Sequence, residues 1–285
     1  MGDEELVRVD GVDLCVETLG DRADPAVLLI AGAACSMDWW ADGFCRRLAD
    51  AGRFVIRYDH RDTGRSTTDE PGHPSYTEEA LTNDPLGLLD ALRVRRAHVV
   101  GLSSGGGIAQ ELAVRCPERI ASLTVMSTTF YAPGGPELPP MVPGLRAVFD
   151  APPAPPDWSD RSAVIDYLVA DWLPYSGPAG ATEAELRELA GRVVDRSVTV
   201  ASSGNHWLLT GGSTPPEHSL GTLTVPALVI HGTADPMFPF PHGEALAAAI
   251  PGATLLPLAG VGHEMPPPAT WDAVVPAIVE VTSAA

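Results

Sequence analysis

The sequence predicts an α/β fold in which a mostly parallel central sheet is covered by helices on both faces. Short, continuous apolar runs recur along the chain, as in strands buried on both sides. Between them lie stretches with an apolar residue every three or four positions, the spacing of a helix with one buried face. The length of 285 residues suffices for one sizeable core without demanding two. Strand and helix thus alternate repeatedly, and no internal repeat interrupts them.

The opening LVRVDGVDLCVETLG alternates apolar and polar residues on either side of Asp10-Gly11, a pair suited to the positive φ angles of a tight turn, and predicts an antiparallel hairpin at a sheet edge. Strands are then expected at AVLLIAG (26–32), RFVIRYD (53–59), HVVGLS (98–103), SLTVMST (122–128), PALVIHG (226–232) and ATLLPLAG (253–260). WWADGFCRRLADA, DPLGLLDALRV, GGIAQELAVRC and HGEALAAAI supply the helices between them. From about Tyr131 to Ser219 the alternation breaks. APGGPELPPMVPG and APPAPPDWSD are too proline-rich for a core strand or a long helix. SAVIDYLVADWL and TEAELRELAGRVVDRSV, however, have helical periodicity. The expected organisation is a core of residues 1–130 and 220–285 with a helical cap, 131–219, inserted into it.

Composition narrows the function. The formal net charge is −19, from 18 basic and 37 acidic residues, with no basic run. A nucleic acid or an anionic membrane would be repelled, so neither is expected as a partner. All the basic residues are Arg; without Lys there is neither a Schiff-base lysine nor a Walker lysine. Cys15, Cys35, Cys45 and Cys116 form no C-x-x-C, and the acidic start MGDEELVRVD is no secretory signal. A reduced, cytoplasmic protein is expected. No apolar run approaches the ~20 residues of a bilayer span.

VVGLSSGGGIAQ (99–110) carries the chemistry. A dinucleotide cradle would need G-x-G-x-x-G, but Ser103 stands at the second glycine position, and a P-loop would need the missing Lys. Gly101-Leu102-Ser103-Ser104-Gly105 instead fits G-x-S-x-G between a strand and a helix, a sharp elbow that lifts a serine Oγ above the sheet. Serine is a poor nucleophile without a base, so an acid and a histidine are expected downstream, in that order. Asp235, in VIHGTADPMFP, and His263, in LAGVGHEMP, each follow a predicted strand, at the edge where α/β sheets place their sites. His60, His73, His98, His206, His218, His231 and His242 precede the elbow, lie in the cap, or occur at or before the acid loop, so structural or solvent-exposed roles are expected of them as bases. Glu264 and Asp272 adjoin or follow His263 and fit the acid position less well than Asp235. The oxyanion of a tetrahedral intermediate would be held by the N–H of Ser104 and by one from the loop after AVLLIAG, for which Ala33 is the candidate.

RYDHRDTGRSTT (57–68), ADPAVLLIAG, AHVVGLSSGG and GVGH, with the elbow, acid and histidine, resemble the α/β-hydrolase superfamily over nearly the whole chain. More closely, they are similar to the esterases that remove the methyl ester from anthracycline polyketides. The resemblance implies the α/β-hydrolase fold and a serine carboxylic-ester hydrolase acting on a bulky hydrophobic small-molecule ester, a polyketide methyl ester among the candidates. It implies no cofactor. No metal is expected either, since HEMPP does not complete H-E-x-x-H. The same three residues could serve carbon-carbon bond hydrolysis, lactone opening or cofactor-free perhydrolysis. A scaffold that binds a ligand without turning it over is the rival outside the enzyme class. Oligomeric state is left open.

Substrate contact is expected from the cap, which concentrates Trp158, Trp172 and Trp207 with Phe149, Tyr167 and Tyr175. Trp207, His206 and Trp172 are the candidates for the pocket, because aromatic faces cover large planar ligands well.

Overall fold

A computed structural model describes residues 4–131, 136–209 and 219–284. His218 and residues 132–135 of the proline-rich stretch lie outside these. The strands are β1 (Glu4–Val9), β2 (Val12–Leu19), β3 (Ala26–Ile30), β4 (Phe54–Tyr58), β5 (Ala97–Leu102), β6 (Ile120–Met126), β7 (Ala227–Gly232) and β8 (Thr254–Leu258). They form one eight-stranded sheet in the order β1-β2-β4-β3-β5-β6-β7-β8. The pairs β1/β2 and β2/β4 are antiparallel and every other pair is parallel. Asp10 and Gly11 turn the opening hairpin with φ of 43° and 89°, as two-residue turns of that hand require.

Helices α1 (Asp42–Asp50) and α9 (Trp271–Ser283) cover one face, where Phe44, Leu48, Val274 and Ile278 pack on Val27, Leu29, Val55 and Val100. On the other face lie α2 (Glu78–Ala91), α3 (Ser104–Arg115) and α8 (Pro241–Ala249). There Leu88, Leu112 and Leu246 meet Leu28, Ile56, Val99 and Val125. Alternate residues of each central strand thus enter opposite cores, which is why those strands read as unbroken apolar runs. Each fully buried Leu or Ile contributes about 1.5–3 kcal/mol.

Three elements depart from expectation. Helix α2 starts at Glu78, before DPLGLLDALRV, and runs through Pro85. Strand β8 is the sheet edge, so Thr254 and Pro257 are exposed and only Leu258 is buried. The third is α4 (Pro143–Asp150), a short helix not read from the sequence, which lies between the two proline-rich stretches; Pro143 occupies its first turn, where the missing N–H costs nothing.

Between β6 and β7 lie α4, α5 (Arg161–Trp172), α6 (Glu183–Arg196) and α7 (Asn205–Leu209). Asp160 caps α5 by accepting from the N–H groups of Ser162 and Ala163. Thr182 and Glu185 cap α6 reciprocally. Val164, Leu168, Leu186, Ala190 and Val193 form an apolar cluster between α5 and α6, separate from the two cores that flank the sheet.

Candidate active site

Ser103 follows β5 and precedes α3 with φ 53° and ψ −120°, a conformation costly for a residue with a side chain. Its neighbours permit the turn. A Cβ at Gly101 would lie 2.1 Å from the carbonyl oxygen of Gly105, and one at Gly105 2.4 Å from the carbonyl oxygens of Ile30 and Ala31. Both ends of the motif are therefore held to glycine by backbone contact. The Ser103 carbonyl accepts from the N–H of Gly106 and Gly107, at 2.9 and 3.1 Å, and from Thr128 Oγ1 at 2.8 Å.

Ser103 Oγ and His263 Nε2 are 2.9 Å apart, and His263 Nδ1 is 2.9 Å from Asp235 Oδ2. Asp235 follows β7 and His263 follows β8, so the parallel pairing of these strands delivers acid and histidine to the sheet edge that carries Ser103. The other oxygen of Asp235 accepts from the N–H of Met237 and Phe238, at 2.9 and 2.8 Å. Burial pushes the Asp235 carboxyl up, but the neighbouring His263 and His231 rings and the Phe238 N–H together outweigh it and hold the group below its ordinary range. Asp235 is thus an anion. The elements position the three residues that the elbow, the acid loop and the GVGH loop had each suggested separately.

Beside β5 runs β3, with Ile30 opposite Gly101. The chain leaving β3 therefore passes close to the elbow: a Cβ on Gly32 would be 3.4 Å from Ser103 Cβ. Gly32 and Ala33 line a small chamber of about 80 Å³ together with Ser103 and His263. Ser104 opens α3, whose N-terminal N–H groups face the same edge.

The small chamber adjoins a larger one of about 460 Å³. Ala34, Asp171, Trp172, Tyr175 and Trp207 line both and form the neck between them. Phe149, Trp158, Tyr167, Trp172, Tyr175 and Trp207, the six aromatic residues singled out in the segment between β6 and β7, all border the larger chamber. Trp207 packs edge-on against Phe149, with centroids 5.9 Å apart, and stays 43% exposed. Trp172 meets Trp39 edge-on at 4.6 Å.

His206 departs from its expected role. It is 3% exposed and lines neither chamber. Its Nδ1 accepts from the Ala34 N–H at 2.9 Å and its Nε2 lies 2.8 Å from the Arg61 carbonyl oxygen. The ring is spent in bracing the loop after β3. In the sequence it was indistinguishable from its neighbour Trp207, because a five-residue helix turns adjacent side chains to different sides. His60, His98, His231 and His242 are likewise buried against carbonyl or hydroxyl groups.

Sequence reasoning missed three supporting residues. Arg196, the last residue of α6, pairs with Asp59, Asp38 and Glu4. Glu264, weighed only as a rival acid, accepts three backbone N–H groups: Gly177 at 3.0 Å, Gly262 at 3.1 Å and Ala181 at 2.7 Å. Asp171 stands at the neck of the chambers. No local motif marks any of them: Arg196 reaches Asp59 and Glu4 far away in sequence, Glu264 ties the distant Gly177 and Ala181 to its own loop, and Asp171 is distinguished only by its place at the neck. Among the described residues no cluster of His, Cys, Asp and Glu is arranged to hold a metal, and no helix is long and apolar enough to cross a membrane.

Comparison with known proteins places this geometry among others. The family described by the alpha/beta hydrolase fold matches residues 25–267. The chain is 38% identical over 281 residues to rhodomycin D methylesterase DauP of Streptomyces sp. (strain C5), covering 92% of each chain. It is 36% identical over 281 residues to rhodomycin D methylesterase DnrP of Streptomyces peucetius, again covering 92% of each. Among solved structures, the enol-lactonase from Burkholderia xenovorans LB400 superposes with a TM-score of 0.73 at 26% identity, over 98% of this chain and all of that one.

Proposed function

We propose, for a chain that belongs to the alpha/beta hydrolase fold family, that it is a serine carboxylic-ester hydrolase acting on a bulky, polycyclic methyl ester. The observation that carries this reading is the run of hydrogen bonds from Asp235 through His263 to Ser103 at the floor of an aromatic-lined chamber. The likeness to two rhodomycin D methylesterases supports the substrate class. In the same reading, residues 131–219 are a cap inserted into a core of residues 1–130 and 220–285.

His263 takes the Ser103 proton on Nε2 as Oγ bonds to the ester carbonyl carbon. Asp235 orients the ring and stabilises the imidazolium that forms. The carbonyl oxygen, now an anion, is held by the N–H groups of Ala33 and Ser104. When the carbon–oxygen bond to the alcohol breaks, the leaving methoxide takes the proton from His263 and departs as methanol. Water then gives its proton to His263, attacks the acyl-enzyme carbon, and the free acid leaves as Ser103 regains its proton. The neck and larger chamber would hold the polycyclic part, with Trp172 and Trp207 as its aromatic contacts. The likeness to an enol-lactonase favours a second reading, lactone opening by the same residues. The two differ in product, since a lactone releases no alcohol.

The test is methanol release from an anthraquinone carboxylic acid methyl ester. Wild-type protein should release one methanol per acid formed, and Ser103→Ala should lower turnover by roughly 10⁴ to 10⁶ while keeping its melting temperature. Ser104→Ala should stay near wild type, because only its backbone is used. Undiminished hydrolysis by Ser103→Ala would overturn the reading.

A further inference from the structure

Among the described residues, three carboxylates line the two chambers: Asp62, Asp171 and Glu264. Asp62 is fully engaged, accepting from the Asp69 N–H at 2.5 Å, Tyr76 Oη at 2.7 Å and Asn205 Nδ2 at 2.8 Å. Glu264 is engaged by its three backbone donors. Asp171 differs: among the described residues it accepts no hydrogen bond and makes no ion pair, and burial alone acts on its carboxyl, raising it above the ordinary range. Among the described residues no arginine lines either chamber to balance it.

Its position sharpens the point. A carboxylate kept for solvation would stand on the outer surface, but Asp171 borders both the chamber of Ser103 and the larger one. It also lies in the last turn of α5, which carries no basic residue, so the negative end of the helix dipole adds to its charge. That charge reaches the walls: the hydroxyls of Tyr167 and Tyr175 and the thiol of Cys35 are all pushed up, by burial first and by Asp171 next. Around it stand the rings of Trp172, Trp207 and Tyr175. An unbalanced carboxylate among electron-rich ring faces is a receptor for a cation.

We propose that Asp171 anchors a cation subsite, in which a protonated amine carried by the substrate pairs with the carboxylate and lies against the surrounding rings. The enzyme then selects amine-bearing polycyclic esters over neutral ones of equal size. The ester part of this inference rests on the function proposed above; the subsite itself does not.

The experiment uses an anthraquinone carboxylic acid methyl ester bearing an aminopropoxy group and its N-acetyl derivative. Wild-type kcat/KM should favour the amine by tenfold or more. That ratio should fall to near one in Asp171→Asn, at high salt, and at a pH above the pKa of the amine. In parallel, calorimetry on Ser103→Ala reads binding without turnover. The amine should bind at least tenfold more tightly than the acetamide, and Ser103→Ala combined with Asp171→Asn should remove the difference, with acetamide binding reporting an intact chamber. If neither ester is turned over while this binding difference holds, the ester reading falls and the subsite stands. Equal binding of the two compounds, or an amine preference that survives Asp171→Asn, overturns the subsite.

Discussion

Arg196 holds the carboxylate of Asp59 with both terminal nitrogens, Nη1 to Oδ1 at 2.9 Å and Nη2 to Oδ2 at 2.7 Å. Asp59 follows β4 and has no exposed surface, and its oxygens also accept from the N–H of Met37 and Arg65, both at 2.9 Å. The pair therefore fastens the end of α6 to the carboxyl edge of the sheet. Removing the arginine leaves a buried anion short of its counter-charge. Arg196→Ala should lower stability by about 3 kcal/mol or more, read as a shift of the urea midpoint. A midpoint within error of wild type would mean that water replaces the guanidinium at no cost.

In the proposed reaction Asp235 acts only through His263. Asp235→Asn should lower kcat by on the order of 10⁴, because the amide lacks the charge that stabilises the imidazolium and favours the wrong tautomer. Steady-state kinetics beside a melting curve separate this from unfolding. Retained activity in a folded Asp235→Asn would assign the acid elsewhere.

Trp207 offers one of the least buried rings at the chamber, at 43% exposure. Trp207→Ala should lower kcat/KM for a bulky aromatic methyl ester by about 10-fold, from roughly 1.5 kcal/mol of lost contact, and leave a small activated acetate nearly unaffected. Equal losses on both, with a lowered melting temperature, would place the ring in the packing of its own segment.

Three buried histidines set a pH limit on the fold. Burial pushes His60, His98 and His206 down to about 4, so they stay neutral in the folded chain at pH values where the unfolded chain takes up protons. With folded values below the unfolded value of ~6.5, stability is fully present above that pH and is lost as the pH falls from there towards 4. Below 4 both states are protonated and this loss levels off. Denaturation at pH 7, 6, 5 and 4 should show a fall that grows through that window to on the order of 10 kcal/mol for the three rings together. A flat profile would show that the rings are charged in the fold.

Much of this was legible in the sequence, for local reasons. Strands β3 to β7 announce themselves because both faces are buried and the apolar run is unbroken. Ser103 is legible because Gly101 and Gly105 are each required by a backbone atom less than 3 Å from a would-be Cβ. Asp235 and His263 follow from the order in which a parallel sheet delivers its strand ends. What stayed hidden is non-local. His206 and Trp207 are adjacent in sequence, yet one is locked between Ala34 and Arg61 while the other faces the cavity. Arg196 finds Asp59 across 137 residues and Glu264 finds Ala181 across 83, separations at which a single sequence carries no register. Helix α4 went unread because it is only eight residues long, too short for a clear periodicity, with Pro143 harmlessly in its first turn.

Glu264 and its neighbours join the loop of His263 to the connection between α5 and α6. The N–H of His263 donates to the Tyr175 carbonyl oxygen at 2.8 Å. A Cβ on Gly262 would strike that same oxygen, and one on Gly177 would strike the Gly260 carbonyl oxygen. The connection between α5 and α6 is therefore fastened directly to the loop carrying His263. A substitution that shifts that connection is expected to shift the imidazole relative to Ser103 as well. In the proposed reaction the place of the base is thus set from across the chain, by Tyr175 and Gly177 as much as by the loop of His263 itself.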